Sequence, residues 1–340
     1  MLIGLAIGDA LGNTSEGLNP ASRLRRYGEI RHYLPNWWAD MAAVGVPSDD
    51  TQLCFWTIES LLRRRGIDPV DVARTFAGDR IFGIGATVTA FLLASRRGVP
   101  WFQAGQPSAG NGALMRIAPV VLPHLEVVDS GLWADVITAT VITHRDEAAV
   151  VSSVGFVGLL MECLAAPMFS DASKEADRTG WKAEPDKVAY SPSWWPRTFL
   201  RYARAVETGM VYASRRGPSF SGSLCDFVQT KVLPAVDEGR GTLEVCDGWG
   251  SGAYLLETVP CLLHILALHG HDAEEAVVRA VNDTRDNDTI GALVGAAVGA
   301  LHGEQALPDE WRQGLLGRTR EADDGAVQRL VDEVVDTFLS

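Results

Sequence analysis

NDTRDNDTIGALVGAAVGALHG, residues 282–303, decides how this chain is read. Its glycines fall at Gly291, Gly295, Gly299 and Gly303, four apart. On a helix they share one face that carries almost no side chains. Each glycine inside a helix costs roughly 1 kcal/mol against alanine, so a stripe of them points to very close approach by another helix backbone. Such stripes also occur in membrane helices. Here the apolar run from Ile290 to Leu301 falls well short of the ~20 residues needed to cross a bilayer. The stripe is therefore expected to be a packing face in a folded core.

Asp283, Asp286 and Asp288 stand directly before it. Free N–H groups and the helix dipole favour carboxylates at a helix start, and capping accounts for Asp288 or Thr289. It accounts less well for Asp286. A second entrance repeats the pattern: VPSDDTQ places Ser48, Asp49, Asp50 and Thr51 ahead of a helical run. If the two starts meet, four carboxylates converge, and only cations make that favourable. An all-oxygen donor set without cysteine or histidine suits a hard divalent ion, Mg²⁺ or Mn²⁺, singly or as a pair.

Helical periodicity dominates elsewhere. DTQLCFWTIESLLRRRG (50–66) sets Leu53, Trp56 and Leu61 on one side; EAAVVSSVGFVGLLMECLAAP (147–167) reads as a buried helix ended by Pro167. YLLETVPCLLHILALHG (254–270) reads as another, bent at Pro260, and residues 324–339 form an amphipathic helix with Val327, Leu330, Val331, Val334 and Val335 at helical spacing. Alternating strand patterns are hard to find. The chain is read as all-α, one compact domain over 1–340. Its least regular part is about 168–240, where SPSWWPRTF and SRRGPSFSGS, with GWGSG just beyond, look like long loops.

Of the 340 residues, 47% are hydrophobic and 21% charged, the profile of a folded protein with a large core. A net charge of −13 argues against nucleic acid as the main partner. The short basic runs Arg63–Arg65, Arg96–Arg97 and Arg215–Arg216 read as solvated helix ends. Five scattered cysteines without a CxxC pair suit buried thiols in a reducing compartment. The opening MLIGLAIGDALG lacks a charged n-region and meets Asp9 early, and no apolar run reaches membrane-spanning length. A cytoplasmic location, no membrane association and a monomer are the default expectations.

Further motifs are individually ambiguous. GNGALMRIAPV (110–120) is either a helix-entry turn or a loop whose backbone N–H groups approach a phosphate. His144 in ITH is either structural or a ligand contact, and Trp249 and Tyr254 in GWGSGAY either anchor a loop or stack on a base.

Taken in order, GLAIGDALG with Glu16 just beyond, SDDTQ, GNGALMRIAPV, ITH and RDNDTIGALVGAAVGALHG resemble the ADP-ribosylglycohydrolase family. The resemblance covers all but about 168–240. It implies an orthogonal multi-helix domain that binds two divalent cations, with Ser48, Asp49, Asp50, Asp286, Asp288 and Thr289 as ligands. It further implies cleavage of the bond between the distal ribose of ADP-ribose and an acceptor, on a protein or a small molecule. Gly110, Asn111, Gly112, His144, Trp249, Tyr254 and Arg285 are the implied substrate contacts. Asp283 is read as a supporting loop residue. Two departures stand out: Thr284 and Arg285 occupy places that are glycine in many relatives, and Gly83 stands where arginine-specific relatives carry an aspartate before an Ile-Gly pair. The second departure shifts acid–base work to Glu16 or Asp50 and counts against arginine-linked substrates. A non-catalytic ADP-ribose-binding protein and a two-metal phosphoester hydrolase are the alternatives.

Overall fold

The computed structural model describes residues 1–125, 130–176, 191–217 and 219–339, with side chains 167–176 left aside. In chain order the helices are α1 (Leu2–Gly12), α2 (Pro20–Tyr27), α3 (Asp49–Arg64), α4 (Pro69–Ala77), α5 (Ala86–Arg96) and α6 (Trp101–Ala104). Then come α7 (Ser130–Val141), α8 (Glu147–Ala176), α9 (Trp194–Ala203), α10 (Leu224–Phe227), α11 (Leu233–Asp237) and α12 (Thr242–Trp249). The last are α13 (Leu255–His269), α14 (Ala273–Asp283), α15 (Asn287–His302), α16 (Asp309–Gly314) and α17 (Ala326–Phe338). Among the described residues the strands are one short antiparallel pair, β1 (Tyr212–Ala213) with β2 (Ser221–Gly222). The all-α expectation holds.

The glycine stripe finds its partner at the other end of the chain. α1 carries its own stripe, Gly4, Gly8 and Gly12, and lies antiparallel against α15. A Cβ on Gly4 would stand 2.1 Å from the Gly295 carbonyl oxygen, and one on Gly8 would stand 2.0 Å from that of Gly291. One on Gly12 would strike the Asn287–Asp288 backbone at 2.4 Å. The helices thus touch backbone to backbone, and every residue of α1 is buried. Gly303 is not part of this face. With φ 80° it ends α15 in the conformation that glycine adopts freely.

Several sequence expectations need correction. α8 runs through Pro167 to Ala176, so that proline does not stop the helix. SPSWWPRTF is largely helical: Trp195, Phe199 and Leu200 of α9 face the core. Val335 is exposed on α17, leaving Val327, Leu330 and Val334 to pack inward. Residues 177–190 of the irregular segment lie outside the described residues. The stretch Glu147–Ala166 is, by length and composition, long and apolar enough to cross a membrane, contrary to expectation; 72% of that window is buried inside the protein. All five cysteines are free and buried.

Because backbone atoms line this contact, neither helix can yield locally. Gly8→Ala is expected to lower unfolding stability by about 1–3 kcal/mol in chemical denaturation. Gly66→Ala, at an open helix end with nothing within 4 Å of the added methyl, should change it by less than about 0.5 kcal/mol.

Candidate metal centre and ligand cavity

The two acidic helix starts meet. Asp49 and Asp50 occupy the first turn of α3, Asp286 is the N-cap residue of α15, and Asp288 lies in its first turn. α1 brings them together from two sides. Its Gly12 rests on the Asn287–Asp288 backbone, while Asp9, fully buried, accepts hydrogen bonds from the start of α3. Ser48 N (2.9 Å), Ser48 Oγ (2.6 Å), Thr51 N (3.1 Å) and Thr51 Oγ1 (2.5 Å) all donate to it. Arg23, fully buried on α2, then ties the loop carrying Glu16 to the turn ahead of Asp286. It donates to Ser15 Oγ (2.9 Å), Leu18 O (3.0 Å) and Thr284 O (2.6 Å).

These acids line one wall of a cavity of about 660 Å³ together with Glu16 and Thr289. Carboxylate oxygens of Glu16, Asp286 and Asp288 lie within 4.8 Å of one another. Burial is the main cause that raises the pKa of Asp50 and Asp288 far above the ordinary range; for each, the other carboxylates add to it. Asp49 is raised by burial and then by Asp9. Asp286 is pushed up to about 7 by burial, opposed by a hydrogen bond from Asn111 and reinforced by Glu16 and Glu257. Glu16 is raised by desolvation and then by Asp9. Asp50 Oδ1 is buried without any hydrogen-bond partner. An orphaned, buried carboxylate oxygen facing further carboxylates fits a hard divalent cation, which supplies the missing positive charge.

The GNG loop lines the same cavity next to the acids. Asn111 N donates to Ala253 O (2.9 Å), which docks the loop on the GWGSGAY segment. The Asn111 side chain has a role the sequence did not reveal: its Nδ2 donates to Asp286 Oδ2 (2.5 Å) and to Thr258 Oγ1 (3.0 Å), so it orients an acid. His144 lies beneath the glycines, and a Cβ on Gly112 would stand 3.0 Å from its Cε1. Arg116, fully buried, donates to Thr143 Oγ1 (2.9 Å), which lies 2.9 Å from His144 Nδ1. A guanidinium only donates, so the Thr143 hydroxyl keeps a proton it can give to Nδ1, and in that tautomer the ring proton sits on Nε2. Burial, then Arg116, lowers the His144 pKa to about 3, so the ring is a neutral N–H donor beside the cavity.

The sequence matches a family model described as ADP-ribosylglycohydrolase over residues 1–338. The chain belongs to the ADP-ribosylglycohydrolase family. It is 30% identical to the uncharacterized protein YegU of Escherichia coli (strain K12), over 90% of this chain and 87% of that protein. It is 25% identical to ADP-ribosylhydrolase ARH3 of Mus musculus, over 93% and 86% respectively. A solved structure described as an ADP-ribosylglycohydrolase-related protein complex is similar over 98% of this chain and 96% of that one, with a TM-score of 0.62 and 26% identity.

As a member of this family of glycohydrolases, the chain brings most of the anticipated site residues to one place: Glu16, Asp49, Asp50, Asp286, Asp288, Thr289, Gly110, Asn111, Gly112, His144 and Tyr254 all line the cavity. Ser48 stands beside it, bonded to Asp9. Trp249 does not face the cavity; it is buried against Phe227 and His264 at ring separations of 5.6 and 5.8 Å. Arg285 points elsewhere too, 3.7 Å from Asp247 on another part of the surface. The cations that reach the cavity are Arg215 and Arg216, which are not helix ends. They sit on the connection between β1 and β2, and Arg215 lies over the Tyr254 ring at 4.0 Å. Gly83 is left-handed (φ 60°), and a Cβ there would stand 3.2 Å from Asp49 Oδ1. Asp283 lies off the cavity, bonded to Thr242.

The raised carboxylates set a pH signature. Folded Asp286 keeps its proton to about pH 7, whereas the unfolded chain releases it near the ordinary aspartate value of 3.8. Its contribution is present at low pH and lost as pH rises through about 7. Metal-free protein should therefore melt at a lower temperature at pH 8 than at pH 5.5, Asp286→Asn should flatten that fall, and Mg²⁺ or Mn²⁺ should raise the melting temperature more at pH 8. A pH-independent response to metal in the wild type would contradict this.

Proposed function

We propose that the chain hydrolyses the glycosidic bond between the distal ribose of an ADP-ribosyl group and its acceptor, with two divalent cations, Mg²⁺ or Mn²⁺, as cofactors. What carries the reading is the convergence of both acidic helix starts on the same cavity as the GNG loop and His144. Asp49, Asp50, Asp286, Asp288 and Thr289 would hold the ions, with Ser48 at their edge. The ions would supply charge neutralisation and orientation of the ribose hydroxyls for an oxocarbenium-like transition state.

The chain's own groups do the rest. Backbone N–H groups of Gly110 to Gly112, the Nε2–H of His144 and the guanidinium groups of Arg215 and Arg216 offer donors to a diphosphate. Tyr254 gives an aromatic edge for the adenine. Glu16 stands on a loop rather than in a helix, and its raised pKa suits proton delivery to the departing acceptor; Asp50 is the alternative proton carrier. Five free, buried cysteines suit a reducing, cytoplasmic setting.

The test is release of ADP-ribose from an ADP-ribosylated acceptor, with Mg²⁺ or Mn²⁺ and with chelator. Chelation should abolish release, and Glu16→Gln should lower kcat about 10²–10⁴-fold with little change in KM. Release of AMP would identify a phosphoester hydrolase, and metal-dependent ADP-ribose binding without turnover would identify a binding protein.

A further inference from the structure

A second cavity, of about 310 Å³, adjoins the first. The two share Glu16 and Gly83, but Gly110, Asn111, His144 and Tyr254 do not line the second. It therefore lies where the acceptor half of the substrate would leave the ribose. Trp37, Trp38 and Phe82 line it. Trp37 and Trp38 are 78% and 57% exposed, on a loop where Asp40 and Met41 both take positive φ, 50° and 65°. Two exposed tryptophans on a strained loop beside a candidate active site are costly for stability alone. Asn36 holds the loop to the Glu16 segment through Thr14 Oγ1 (2.9 Å).

Arg318 completes this cavity. It is 6% exposed, and its guanidinium lies over Phe82 at 4.1 Å and near Trp38 at 5.8 Å. It makes no hydrogen bond or ion pair to any described residue, and its Nε is buried without a partner. Its Nη groups, with no hydrogen-bond partner among the described residues, are the donors it offers to a ligand in the cavity. Arg80, which does not line the cavity, also lies 5.4 Å from the Trp38 ring centroid. Glu16 is the only carboxylate lining the cavity among the described residues, and Gly83 has neither the backbone angle nor the room beside Asp49 for another. An arginine acceptor would meet the like-charged Arg318 guanidinium here. A flat, uncharged group that stacks and offers carbonyl or ring-nitrogen acceptors meets complementary partners.

We propose that this cavity is the acceptor subsite and that it takes a nucleobase carried on a nucleoside or nucleotide, the base stacking on Trp38 and Trp37 and accepting from Arg318. Guanine suits it best, since its O6 and N7 match a guanidinium in bidentate fashion. The proposal rests on the hydrolase reading above. In the reaction, water adds to the anomeric carbon, the ribose–base bond breaks with its electron pair passing to the base, and the base takes up a proton. ADP-ribose and the free nucleoside result.

The test compares ADP-ribosyl-guanosine with ADP-ribosyl-arginine and ADP-ribosyl-serine peptides, using the metal-loaded full chain. Wild type should show the highest kcat/KM on the guanosine adduct. Trp38→Ala, an exposed position whose folding is checked by its melting temperature, should lower that value roughly tenfold or more, a larger factor than for either peptide. Equal or better turnover of either peptide by wild type, or an equal loss on all substrates in Trp38→Ala, overturns the nucleobase assignment while the hydrolase reading stands. Release of ADP-ribose from none of the three overturns both.

Discussion

The close antiparallel contact between α1 and α15 governs the rest of the molecule. It has no side chains to adjust: Gly4 and Gly8 meet the carbonyls of Gly295 and Gly291 directly. That fixes how far along each other the helices sit, and the register delivers Gly12 to the start of α15. One turn earlier on α1, Asp9 clasps the start of α3. A single rigid helix therefore sets the spacing of two acidic motifs separated by more than two hundred residues of chain. The glycines' conformational cost is offset by that precision, and the acids inherit it.

The acids in turn oppose folding. Burial and mutual repulsion raise all of them, and Asp50 Oδ1 is left without a partner. Asp9 shows the contrast: equally buried, it is surrounded by five donating groups from Asn13, Ser48 and Thr51 and serves the architecture. Carboxylates whose needs are met inside the protein hold it together, and those left wanting face the cavity. The same distinction separates the arginines. Arg23 spends its donors on backbone carbonyls around the Glu16 loop, whereas Arg318 has none to spend them on.

Much of this was legible in the sequence, because residue spacing encodes it. The Gly291–Gly299 stripe announced a backbone contact, and the paired aspartates announced a shared site. The partner of the stripe was equally visible as GLAIGDALG, yet two stripes must be matched across the whole chain before they mean one interface. Asp9 was the lone charge in an apolar helix, a signal of a buried hydrogen-bonding role that reads poorly without knowing what lies opposite. Loop residues were less readable, since neighbours in sequence there say little about facing. Trp249 turned to the core while Tyr254, five residues on, turned to the cavity. Arg215–Arg216 looked like a helix end because basic residues before a glycine commonly are. Gly217 instead is left-handed and so close to Gly248 that a Cβ would stand 1.8 Å from its carbonyl oxygen, which presses the arginine-bearing connection onto α12.

The central claim is that these acids form one metal site built by two helix starts. Anomalous scattering at the manganese edge from crystals grown with Mn²⁺ tests it most directly. Peaks are expected among Asp49, Asp50, Asp286 and Asp288, adjacent to Glu16. Peaks confined to other surfaces, or none at Mn²⁺ concentrations that fill exposed carboxylate sites, would contradict it.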